Sequence, residues 1–114
     1  MTIKDFISNY ELHDSLVENI TYNTETSELI LSIDFCYWMQ ENYNNEEPET
    51  GMISIVFKNV SGFSGLEGEC DDYSILHTKL IDGKISIGVL DDFNDEYYTI
   101  TFYADEVIIN SNQD

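Results

Sequence analysis

Leu29-Ile30-Leu31-Ser32-Ile33-Asp34-Phe35-Cys36-Tyr37-Trp38 alternates with a period of two: Leu29, Leu31, Ile33, Phe35 and Tyr37 are all apolar or aromatic, while Ser32, Asp34 and Cys36 fall between them. A helix repeats every 3.6 residues and cannot keep such a set on one side; a strand does so automatically, because successive side chains point to opposite faces. The segment is therefore a long strand with one thoroughly apolar face.

Upstream, Leu16, Ile20 and Tyr22 share the face of a strand beginning at Ser15, and Thr24-Glu25-Thr26-Ser27 is the turn that joins the two strands as a hairpin. Before it, Thr2 is a helix N-cap with acidic Asp5 three positions on and apolar Phe6 and Ile7 following, which predicts a short helix over residues 2–10. Downstream, residues 40–51 hold four Glu, three Asn, the one Pro and a Gly with no apolar repeat, and read as an exposed loop. Met52 to Val60 is a strand with Ile53, Ile55 and Phe57 on one face, broken by Ser61-Gly62-Phe63-Ser64-Gly65. An acidic segment, residues 67–72, precedes a strand from Tyr73 to Ile81, which Asp82-Gly83 turns into Lys84 to Leu90. After a further acidic turn at residues 91–96, Tyr97 to Tyr103 and Val107 to Asn110 are expected to pair as a hairpin, with residues 111–114 a frayed polar tail.

These elements predict one mainly β domain over residues 1–114: an antiparallel sheet of six or seven strands over 15–110, curved or two-layered, with a minor helical part at the N-terminus. A chain of 114 residues can bury one core and not two ordinary ones.

The charge is extreme: 23 Asp and Glu against four Lys and no Arg give a net −19. Nucleic acids and anionic membranes require clustered Lys or Arg, so neither is an expected partner. A cationic protein surface would be attracted and steered toward the chain. No secretory n-region precedes an apolar run at the N-terminus, so the expected location is cytoplasmic, with Cys36 and Cys70 as free thiols in a reducing compartment.

Motifs that carry chemistry are weak. Leu12-His13-Asp14-Ser15 has the residue types of a hydrolase triad, but a triad is made by spatial geometry and adjacent residues do not aim at one another; Asp14 or Ser15 capping the turn is the plainer reading. By parity His77 shares a strand face with Tyr73, Ile75, Lys79 and Ile81. No Cys-x-x-Cys or His-x-x-x-His pair joins His13, His77, Cys36 and Cys70 into a metal set, and no metal is expected. Residues 91–96 offer oxygen ligands without the glycine and closing acid of an EF-hand loop. A reactive thiol at Cys36 or Cys70 would need a nearby cation, and the surroundings are carboxylates. Gly62-Phe63-Ser64-Gly65 lacks the Lys of a phosphate loop. The chain is accordingly expected to be no enzyme and to carry no cofactor.

The surface itself remains. Segments 41–49, 67–72 and 91–96 each hold four carboxylates, 12 of the 23, and the first adjoins the aromatics Trp38 and Tyr43. Aromatic anchors beside carboxylates suit a cationic protein partner. The candidate contact residues are Trp38, Glu41, Tyr43, Glu46, Glu47, Glu49, Glu69, Asp71, Asp72, Asp91, Asp92, Asp95 and Glu96.

The run Leu12-His13-Asp14-Ser15, the hairpin ending in Tyr37-Trp38, the loop at Pro48-Glu49 and the strand Ile53-Ser54-Ile55-Val56-Phe57-Lys58-Asn59-Val60 together resemble a group of small acidic bacterial proteins, some similar to immunity proteins encoded beside secreted toxins. The resemblance covers residues 12–63 and brings no established contact residues. It implies a protein that occludes a toxin's surface. Two other readings stand beside it: a small carboxylate-based hydrolase or carbohydrate-binding β domain, and a housekeeping β domain that associates with itself.

Overall fold

The computed structural model describes residues 1–40, 44, 46 and 49–111. A helix α1 (Ile3–Asn9) is followed by eight strands: β1 (Leu16–Asn23), β2 (Glu28–Cys36), β3 (Thr50–Lys58), β4 (Ser61–Ser64), β5 (Gly68–Ile81), β6 (Lys84–Asp91), β7 (Glu96–Tyr103) and β8 (Glu106–Ser111), with a 3₁₀ turn at Tyr37–Met39. All pairs are antiparallel and form one sheet in the order β4-β7-β6-β5-β1-β2-β3-β8.

The order has a consequence for shape. β3 and β4 stand near opposite ends of the sheet, yet only Asn59 and Val60 separate them; β7 and β8 likewise stand apart and are joined by Ala104 and Asp105. The sheet must therefore curl until its ends meet. β3–β4 and β7–β8 are two bent strands running side by side, and the Asp105 N–H donates to the Lys58 carbonyl at 3.0 Å across the corner. The expected hairpin of β7 with β8 does not form: β7 pairs with β4 and β6, β8 with β3.

Curling places one face of the sheet inside. Leu29, Leu31, Ile33 and Phe35 of β2 are buried there with Ile53, Ile55 and Phe57 of β3, Ile85, Ile87 and Val89 of β6, Ile100 and Phe102 of β7, and Val107 of β8. Phe57 and Phe102, from strands at opposite ends of the sheet, meet with ring centroids 4.8 Å apart. Thr2 caps α1 as its sequence predicts, accepting from the Asp5 N–H at 3.1 Å, and Phe6 closes the core against Phe57. Among the described residues no helix is long and apolar enough to cross a membrane.

Three irregularities overturn the parity reading. Glu18 is an extra residue in β1, so Val17 and Ile20 face the core and Leu16 does not. β5 begins at Gly68, which makes the acidic segment 67–72 largely strand, and it bulges opposite Glu18. A further shift between Ile75 and His77 puts Tyr73 and Ile75 inside but turns His77 outward over Gly88. Ser61–Ser64, read as a break, is strand β4.

Candidate functional site

The two hairpin turns show what part of the acidic inventory is structural. Asn23 Oδ1 accepts from the Glu25 and Thr26 N–H groups at 3.0 and 3.3 Å, and Ser27 four residues on takes φ 57°. Asp91 repeats the arrangement: its Oδ1 accepts from the Phe93 and Asn94 N–H groups at 3.1 and 3.2 Å, and Asp95 takes φ 53°. The Asn94 amide donates to Asp91 Oδ2 at 2.7 Å, and these bonds, the Asn94 side chain first, hold the Asp91 carboxyl below the usual carboxylate range. Asp91 is 2% exposed. Its carboxylate is occupied by the turn, unlike the exposed contact residue expected from its sequence position.

A side-chain contact joins β5 to the second of these turns. Ser74 lies opposite Leu90, and its hydroxyl donates to Asp92 Oδ2 at 2.9 Å. Tyr73 and Tyr98 stack with centroids 5.9 Å apart and planes 9° from parallel, and the Tyr98 hydroxyl donates to Glu96. Glu69, Asp71, Asp72, Asp92, Asp95 and Glu96 are all exposed.

Two carboxylates absent from the sequence-based candidates lie on the neighbouring strands β1 and β2. Glu18, in the bulge of β1, hydrogen-bonds with Asp72 in the opposing bulge of β5. Its pKa is pushed up to about 7, chiefly by that bond, then by burial, then by the charges of Asp72, Asp34 and Asp71. Asp34 sits on the outer face of β2 opposite Leu16 and Met52. Their alternation marks Glu18 and Asp34 as ordinary strand positions, and only the coincidence of two bulges brings Glu18 beside Asp71 and Asp72.

Asp34 also links this cluster to the aromatic end of β2, since its charge acts on Cys36 as well as on Glu18. Trp38 is 48% exposed, and its N–H donates to the Glu49 carbonyl at 3.2 Å. Glu46 and Glu49 are exposed; Glu41, Tyr43 and Glu47 lie outside the described residues. The thiol of Cys36 is pushed up by burial and that of Cys70 by burial and Glu18, so both resist forming the reactive thiolate. Both cysteines are free.

The His13-Asp14-Ser15 segment does not assemble as a triad. Ser15 is fully buried, with its Oγ accepting the Cys36 N–H at 3.0 Å, while His13 is exposed with Nδ1 3.4 Å from Asp14 Oδ2. His13 and His77 meet in an open groove of about 460 Å³ shared with Glu11, Met39 and Lys79. His77 Nε2 lies 2.8 Å from the Tyr97 hydroxyl, and Tyr97 is 53% exposed. Among the described residues no three His, Cys, Asp or Glu side chains are grouped to hold a metal ion.

No family model, no curated protein and no solved structure matches this chain.

Proposed function

We propose that the protein is an acidic protein-binding module of the immunity or inhibitor type, which occludes a cationic partner surface such as a toxin domain and is not an enzyme. The supporting observation is the cluster in which the charges of Asp34, Asp71 and Asp72 bear on Glu18, with Asp92 bonded to Ser74 further along β5 and Trp38 exposed beyond the end of β2. Toxins that attack nucleic acid carry basic grooves, and carboxylates placed where phosphates would sit can fill them. Such a complex forms quickly at low salt and weakens as salt rises, because much of the attraction is long-range.

Co-purification with the product of a neighbouring toxin-like reading frame tests the reading. Binding at nanomolar to micromolar concentration that is lost in Asp34→Asn/Asp71→Asn/Asp92→Asn supports it. Absence of binding by the folded protein, or binding unaffected by the triple substitution, would overturn it.

A further inference from the structure

β5 has neighbours on both sides for only part of its length. Residues 68–74 pair with β1, and Ile75 is held beside them: its carbonyl accepts from the Asp14 N–H and its own N–H donates to the Ser15 carbonyl, both at 2.9 Å. From His77 to Ile81 the strand pairs with β6 on one side. On the other side, among the described residues, no strand and no backbone hydrogen bond from another element reaches residues 76–81. Glu11, His13 and Met39 do not continue the ladder; with Leu76 to Lys79 they line the open groove of about 460 Å³. The outer edge of β8, by contrast, is covered by Met1, which exchanges two bonds with Val107 at 2.9 and 3.0 Å.

The open edge differs in character from the rest of the molecule. Leu80 and Ile81 leave 39% and 54% of their surface exposed. His77 Nδ1 and Thr78 Oγ1 are buried without a hydrogen-bonding partner, so this stretch holds bonding capacity that its own fold does not use. Residues 73–81, 83–90 and 97–104 contain no Asp or Glu, although the chain carries a net −19. Lys79 is exposed and forms no ion pair among the described residues.

A lysine on an open edge selects what can pair with it. A second copy of this chain would set Lys79 and His77 of each edge against those of the other, and would bring a second −19 to the contact. A strand that places a carboxylate opposite Lys79 gains a cross-strand ion pair instead. We propose that residues 76–81 of β5 are a docking edge for an extended peptide segment of a partner protein. The segment adds to the sheet as a strand, with apolar residues at alternate positions against Leu76 and Leu80 and a carboxylate opposite Lys79. The main-chain ladder supplies affinity and the alternate side chains supply selectivity. The edge is separate from the acidic cluster, so failure of toxin binding leaves this proposal standing, and the reverse.

The test takes the isolated full-length protein and a displayed library of random peptides about eight residues long, enough to cover residues 76–81. Selected peptides should alternate apolar with polar residues around one acid, and on titration should shift the amides of residues 76–81. Versions of the best peptide N-methylated at alternate amides read the mode of binding. Successive N–H groups of a strand point to opposite edges, so one methylated set should abolish binding and the other should leave it nearly unchanged. Lys79→Glu alters an exposed side chain and should weaken the peptide about fivefold, with recovery when the peptide's acid is exchanged for Lys. A library that yields no binder, peptides that shift the Glu18–Asp71 region instead, or equal tolerance of both methylated sets would overturn the docking edge. A dimer seen by light scattering without peptide, with the amides of residues 76–81 protected, would overturn it in favour of a second copy.

Discussion

Asp91 and Asn23 occupy equivalent places in two hairpin turns, each collecting two backbone N–H groups on one side-chain oxygen four residues before a left-handed residue. The equivalence makes a residue-scale prediction. Asp91→Asn retains the acceptor and should cost little, whereas Asp91→Ala removes the acceptor of two turn N–H groups and should cost about 1 kcal/mol in urea unfolding at pH 7. Because the folded carboxyl titrates below its unfolded value, the ionised form stabilises the protein above about pH 4 and that contribution is lost as pH falls through the folded value. The penalty of Asp91→Ala should therefore shrink on acidification; a penalty that grows there would contradict the assignment. Gly88 offers a second test. A Cβ at this position would overlap the His77 ring and the Tyr97 hydroxyl, so Gly88→Ala should destabilise by roughly 1–3 kcal/mol and alter the His77 ring signals in NMR.

At the scale of elements, β2 was readable because its alternation runs unbroken from Leu29 to Phe35 and every inward position is apolar. β1 and β5 were only half readable. An extra residue in a strand reverses the face of everything beyond it, so Leu16 and His77 were placed on the wrong side by a rule that holds between bulges and fails across them. The same bulges created the candidate site, since nothing in the order of residues brings Glu18 beside Asp72. The pH dependence of stability follows from this pair. Glu18 binds its proton more tightly folded than unfolded, so folding takes up a proton between about pH 4.5 and 7 and stability should fall as pH rises through that range. The midpoint of thermal unfolding should decline from pH 5 to 8 in the wild type and decline less in Glu18→Gln. Equal slopes in the two proteins would contradict the raised pKa of Glu18.

For the molecule as a whole, composition disclosed the charge, the single core and the class of fold, but not which acidic segments meet. That depends on strand order, and local reasoning paired β7 with β8 because they are consecutive, whereas the bend at Ala104-Asp105 carries the chain across to β3. With 23 acids against four lysines, self-repulsion opposes the folded state and salt should relieve it. Raising sodium chloride from 20 to 500 mM is expected to increase the unfolding temperature by roughly 5 °C, the shift that about 1 kcal/mol produces in a domain of this size; no increase would mean that the carboxylates are better accommodated than their number implies. The claim that this charge serves a docking face is tested most directly by amide chemical-shift mapping while a basic toxin-like partner is titrated into the labelled protein at low salt. The account predicts salt-sensitive shifts centred on Glu18, Asp34, Asp71, Asp72 and Asp92. Shifts centred instead on the His77–Tyr97 face, or none at all, would contradict it.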